Sequence, residues 1–456
     1  MGLHWGASNI QEKHMSSIEM GSVVLTLCVL LFSIHGMGYL FDKLKQPKLV
    51  GEIFAGILLG PFVLGEVFPV FSDILFGTKD AANKMDTVLN FIYWIGLIFL
   101  MFISGSEARK LVAKENRKET AWILGFGTPL PFFIVMALGL GSFLPLETIT
   151  GTSNQQTSAL LILAIAVSVT SIPVISRIFL DLKIINTRFA SLILGSAVLE
   201  DIILWGVLAV AAAIAGTTAT DQSVIAQNVT SHVLAACLFM GCGLTFAPQL
   251  LSKVHDLRIN FLYRTSKVGY IMFILFSYVA VAAFFEVNLV FAAFIAGFGV
   301  IGGIGGPERE RFEEALDSMS KVASALFIPI YFGLVGYKLI LGREFSFSML
   351  VIFLITSSFL ALLANGLAAK FAGLKGLDIV NLAVTTNARG GPGIVLASVA
   401  YDAGIINAAF YTTLVLTAVI TSQIAGVWLR YVLYKGWPLL SEKDASEAEA
   451  GAAVKI

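Results

Sequence analysis

The chain has 456 residues, of which 57% are hydrophobic and only 13% charged, with equal acidic and basic counts. Soluble globular domains carry charge at about a quarter of their positions, so this composition excludes one. Apolar runs recur along almost the whole length, each near the roughly 20 residues that cross a hydrocarbon layer. The chain reads as an all-α polytopic membrane protein, and a net charge of zero then says nothing about partners.

Met1 to Ser17 are polar and lack the basic-then-apolar order of a cleaved signal. They read as an extracytoplasmic tail before a retained first helix. Apolar runs between charged or turn-rich breaks predict thirteen spans, near 18–41, 49–68, 88–105, 120–145, 157–180, 189–216, 231–251, 267–285, 288–304, 320–341, 348–371, 378–401 and 408–433. The transmembrane domain thus covers 18–433, and 434–456 is a short cytoplasmic tail. Cys28, Cys237 and Cys242 all fall inside apolar runs, which points to neither a disulfide framework nor a metal site.

In chain order, the first span holds His35, best explained by packing. Glu52 and Glu107, toward one end of spans two and three, have Lys48 and Arg109 close by, so interfacial ion pairs are expected there. The fifth span is interrupted by Ser168-Val169-Thr170-Ser171-Ile172-Pro173. The sixth carries Glu200-Asp201 inside an apolar run, and ionisable groups there mark an ion or proton pathway by default. A tight turn at Glu286-Val287-Asn288 separates spans eight and nine, and Glu308 to Glu314 reads as a short amphipathic helix. Lys338, near the outer end of the tenth span, needs only to snorkel. Span eleven offers Ser357, Ser358 and Asn365. Span twelve is interrupted by Thr385-Thr386-Asn387-Ala388-Arg389-Gly390-Gly391-Pro392-Gly393, and Asp402 is expected to cap an outer turn.

Lys and Arg set the orientation. One alternating set of loops and ends carries twenty-two of them and the other four, which places the N-terminus outside and the C-terminus in the cytoplasm. Glu52-Ile53-Phe54-Ala55-Gly56-Ile57-Leu58-Leu59-Gly60 matches Leu289-Val290-Phe291-Ala292-Ala293-Phe294-Ile295-Ala296-Gly297, and the ends of spans three and ten match likewise. The offset is seven spans, an odd number, so the matched helices run in opposite directions. An inverted five-helix repeat follows, with halves near 49–216 and 288–433 and linking helices near 231–285. It pairs the two interrupted spans. Paired discontinuous helices point to a midplane ion site.

Pro173 and Pro392 remove backbone donors, and Gly390 and Gly391 weaken the helix. Oxygens of Asp201, Thr170 and Ser171 with free carbonyls suit a hard monovalent cation, and Asn387, in the other interrupted span, is expected near the same site. One buried carboxylate can hold a proton or a cation, not both well. Glu200 points about 100° away around the helix and reads as a second ligand, a partner of Arg389 or a structural acid.

Gln46 to Pro61, Ser104-Gly105-Ser106-Glu107, Glu200-Asp201, and Ala388-Arg389-Gly390-Gly391 through Ile406 together resemble the second monovalent cation:proton antiporter family. The resemblance covers about residues 18–433. It implies the sodium/proton antiporter fold, a homodimer in a bacterial-type inner membrane, two crossed broken helices and a six-helix core that moves. Asp201 would then bind a proton and Na⁺ or K⁺ in turn. On its own chemistry, Arg389, costly unpaired in a membrane, neutralises the carbonyl ends of the broken helix or pairs with Glu200. No organic cofactor, nucleic-acid partner or catalytic residue is expected.

Electrogenic members usually carry Asp-Asp and a lysine on the helix before the second broken one. Here the first acid is Glu200 and the eleventh span has no interior lysine, so their two-proton stoichiometry does not carry over. A channel-like potassium-efflux protein needing partner subunits and a sodium-coupled symporter of an organic solute are the alternatives.

Overall fold

A computed structural model describes residues 17–44, 46–76, 82–111, 117–185, 187–216, scattered positions between 234 and 253, and 260–285, 287–300, 307–342 and 345–441. Its regular elements are helices, as the membrane demands of any segment that must satisfy its own backbone. Before the middle of the chain these are α1 (Ser17–Lys43), α2 (Lys48–Leu59), α3 (Leu64–Val67), α4 (Pro69–Phe76), α5 (Ala82–Leu111), α6 (Arg117–Trp122), α7 (Pro129–Leu140), α8 (Gln156–Ser168), α9 (Ile172–Asp181) and α10 (Arg188–Ala215). Then come α11 (Phe261–Thr265), α12 (Lys267–Phe284), α13 (Leu289–Val300), α14 (Pro307–Val322), α15 (Ile328–Tyr337), α16 (Phe347–Phe371), α17 (Leu377–Thr386), α18 (Gly390–Asp402) and α19 (Ala408–Tyr434).

A helix lies under every expected span, although only part of the seventh is described, including a π-helical stretch at Cys242–Phe246. Eight helical stretches among the described residues are long and apolar enough to cross a membrane. Two expectations change. The helix of the second span breaks after Leu59, because Gly60 takes an extended conformation, and the apolar stretch runs on through the short α3 to Val67 before α4. Glu308 to Glu314 do not form a separate helix, since α14 runs on through a π-helical turn at Ala323–Phe327 into α15. That turn is tied to the first span by His35, whose Nε2 lies 2.8 Å from the Ala325 carbonyl. The π turn frees carbonyls from the helix ladder, so His35 does more than pack. Asn288, in the tight turn, caps α13 by accepting from Val290 and Phe291 N–H at 3.0 and 3.1 Å.

Packing sorts the helices into two groups. In one, α2 packs on α1 and α15, α5 on α13 and α15, and α12 on α13. In the other, α8 packs on α7 and α10, α16 on α17 and α19, and α18 on α9 and α19. The first group is held by two glycine crossings of the same design. A Cβ on Gly56 would overlap the Gly333 carbonyl and approach Tyr337 N, and one on Gly336 would overlap the Ile53 carbonyl and approach Ile57 N. Likewise, a Cβ on Gly297 would overlap the Phe102 carbonyl and approach Ser106 N, and one on Gly105 would overlap the Phe294 carbonyl and approach Phe298 N. Small residues let membrane helices come this close.

Spans two and ten therefore meet as spans nine and three do, which is the inverted repeat in three dimensions. The structural register equates Gly56 with Gly297, one helical turn from the residue-by-residue match of the two sequence strings. Beyond α19 the chain folds back: Leu439 and Leu440 are buried, and the Asp378 carboxylate accepts from Ser441 N and Oγ at 3.0 and 2.6 Å. The rest of the tail lies outside the described residues.

Candidate functional site

Both interrupted spans are broken at the expected places. Val169-Thr170-Ser171 separates α8 from α9, and Asn387-Ala388-Arg389 separates α17 from α18. The two breaks cross and hydrogen-bond to each other. Ser171 N–H donates to the Ala388 carbonyl at 2.8 Å, and the Thr170 hydroxyl donates to the Thr386 carbonyl at 2.9 Å. Ser171 Oγ accepts from Gly391 N–H at 3.2 Å and from Val174 N–H at 3.4 Å. One serine thus serves orphan donors at the start of both second half-helices. Thr421 and Ser422 of α19 add acceptors for Arg389 and Gly390 N–H, at 3.4 and 3.1 Å.

Gly390 is required by the crossing. Its φ is +27°, and a Cβ there would collide with Val174 and crowd Ser171 Oγ. The two prolines act as starters: Pro173 is the second residue of α9 and Pro392 the third of α18, first-turn positions that have no helical acceptor for an N–H.

Helix α10 packs against all four half-helices, α8, α9, α17 and α18. It carries Glu200 and Asp201 into the interior, each only 1% exposed. Among the described residues none of the four carboxylate oxygens has a hydrogen-bond partner, although the hydroxyls of Thr128 and Thr170 lie beside Glu200. The Thr170 hydrogen is already given to Thr386. The Thr128 hydroxyl makes no other bond and is the one free to donate to Glu200.

Arg389 is not the partner of Glu200. It is 2% exposed and faces the eleventh span, donating from Nη1 to Ser357 Oγ at 2.7 Å and from Nη2 to Asn387 Oδ1 at 3.5 Å, with its guanidinium 5.7 Å from the Phe353 ring. A cation just past the C-terminal end of α17 offsets the partial negative charge of its last carbonyls. Arg389→Ala is expected to lower stability by about 1.5–3 kcal/mol, the range for hydrogen bonds to charged groups. A fall in the melting temperature of the detergent-solubilised protein, partly restored in Arg389→Lys, would show it.

A cavity of about 350 Å³ reaches the crossing from the face richer in Lys and Arg. Its lining includes Lys48, Ser104 and Glu107 as well as Gly391 and Pro392. Lys48 lies 3.8 Å from Asp42, and its charge also acts on the Glu52 carboxylate. On the opposite face two expectations are corrected: Lys338 does not merely snorkel and Asp402 does not cap a turn. They pair with each other at 3.0 Å.

Sequence reading missed Thr128, Phe353, Thr421 and Ser422, and it named Ser357 without its partner Arg389. Thr417 and Thr421, four apart on one helix face within an apolar run, were the available signal for the last pair. Nothing in sequence links Thr128 to residue 200.

Comparison with known proteins agrees with this architecture. The family described as "Sodium/hydrogen exchanger, transmembrane" matches residues 27–435. The chain is 26% identical to Cation/H(+) antiporter 17 of Arabidopsis thaliana over 92% of its length and 49% of the relative's. It is 25% identical to K(+)/H(+) antiporter 1 of Saccharomyces cerevisiae, over 90% of this chain and 46% of that one. It therefore spans about half the length of these relatives. A probable Na(+)/H(+) antiporter 3 of Methanocaldococcus jannaschii is 24% identical over 91% of this chain and 97% of its own. The solved structure of the sodium proton antiporter MjNhaP1 from the same archaeon superimposes with a TM-score of 0.61 at 16% identity, covering 93% of this chain and all of that one. The fold is shared.

Proposed function

Because the chain belongs to the sodium/hydrogen exchanger family of transmembrane proteins, we propose that it is a secondary antiporter that exchanges protons for Na⁺ and/or K⁺. Asp201 binds the two in turn. The observation that carries this reading is the burial of Asp201 without a hydrogen-bonding partner on the helix that touches all four half-helices. A carboxylate without water or counterion is costly, and either a proton or a monovalent cation removes the cost. Thr170 and the carbonyls at the crossing supply further oxygens suited to a hard ion. Ser171 spends its lone pairs on two N–H groups, so it supports the site through geometry, and Asn387 does so by holding Arg389.

Coupling follows if the helices around the crossing move against the glycine-crossed group only when Asp201 is occupied, in an elevator-like alternation. The cavity on the Lys/Arg-rich face is the route open in this conformation. A homodimer in a cell membrane, with the N-terminus outside, fits the same reading. Glu200, with Thr128 and without a lysine, tunes the site.

Reconstitution in vesicles with an internal pH dye tests it. Pulses of Na⁺, K⁺ or Li⁺ outside are expected to drive protons out, with at least one cation active. No proton movement with any of them would overturn the reading. Repeating the pulse at clamped membrane potential gives the charge moved per cycle.

A further inference from the structure

On the face opposite the open cavity, one ion pair joins the two helix groups. Lys338, just after α15, belongs to the glycine-crossed group. Asp402, the last residue of α18, belongs to the half-helix group. Their Nζ–Oδ1 distance is 3.0 Å, with the side chains 29% and 21% exposed. The same ammonium lies 3.8 Å from the centroid of the Tyr93 ring, on α5 of the first group. Beneath this pair the two groups meet again: Tyr331 OH donates to Ser398 Oγ at 3.4 Å, and Tyr411 OH donates to the Val335 carbonyl at 3.1 Å. Tyr93, Tyr331 and Tyr411 are all at most 1% exposed. A second depression, of about 420 Å³, opens on this face and ends against Tyr93 and Lys338.

We propose that Lys338, Asp402 and Tyr93 form the gate that holds this face closed while the other is open, and that the ion pair must break for Asp201 to become reachable from this side. The proposal rests on the alternating-access reading above. A cation held by a carboxylate from the half-helix group and by an aromatic ring from the glycine-crossed group resists the sliding that would expose α18. An ion pair at a partly exposed surface is modest in energy, which suits a contact that opens and closes in every cycle.

The test reads gate opening without transport. In a background lacking Cys28, Cys237 and Cys242, Ser398→Cys places a thiol behind the pair, where the native side chain is 1% exposed. In right-side-out vesicles its labelling by a membrane-impermeant thiol reagent is expected to be slow. Lys338→Ala and Asp402→Asn are each expected to speed it about five- to tenfold, the shift that loss of such a coupling gives a two-state equilibrium. The exchanged pair Lys338→Asp with Asp402→Lys should slow it again.

Unchanged labelling in both single variants would overturn the gate, and so would fast labelling in the exchanged pair. If Lys338→Ala does not fold, Asp402→Asn, which keeps nearly the same shape, decides alone. Because the readout is labelling, a protein that fails to exchange ions but shows this pattern refutes the antiport reading and leaves the gate standing.

Discussion

One methyl group at Gly297 is expected to keep the third and ninth spans apart. The added Cβ would overlap the Phe102 carbonyl, which is backbone and cannot rotate away. Overpacking a core typically costs about 1–3 kcal/mol, and a clash with a carbonyl in a helix–helix crossing belongs at or beyond the upper end of that range. Gly297→Ala is therefore expected to give little monodisperse protein in detergent, with a sharply lowered melting temperature. The repeat makes the prediction stronger, because Gly56→Ala, at the equivalent position of the other crossing, should do the same. Gly206→Ala on α10, where an added Cβ meets nothing within 4 Å, is the control and should be neutral or slightly stabilising through helix propensity. Normal melting in both crossing variants would contradict the packing described here.

The second large effect concerns activity without stability. Asp201 has no hydrogen-bonding partner among the described residues, so Asp201→Asn removes no bond from the fold and also removes the cost of a buried charge. The variant is expected to melt at or above the wild-type temperature while losing all cation-driven proton movement. Glu200→Gln is expected to differ, keeping measurable exchange, because Thr128 can hydrogen-bond an amide as readily as an acid. Equal loss in both variants would assign the two acids one shared role.

Much of this architecture is legible in sequence because a membrane makes exceptions conspicuous. Pro, Gly and acidic residues stand out in apolar runs, and the two interruptions, the Glu200-Asp201 pair and the inverted repeat all announce themselves that way. Register was less visible: the Ala- and Gly-rich strings of spans two and nine align almost as well one turn away, and only the backbone contacts of Gly56 and Gly297 fix it. Side-chain partners were the least legible. Arg389 turned to Ser357 instead of Glu200, and Lys338 found Asp402, because which helix faces which is decided by packing between spans and leaves no periodic trace. Thr128 was hidden for the same reason, beside a π turn at Ile123–Gly127 that no composition signal marked.

In the proposed cycle one carboxylate, Asp201, takes a proton and a cation in turn. Wild type and Asp201→Asn, reconstituted side by side in vesicles with an internal pH dye and shown to be equally folded, test it most directly. A pulse of Na⁺ or K⁺ is expected to move protons in the wild type and to leave the variant at the level of empty vesicles. Undiminished proton movement in Asp201→Asn would contradict the account.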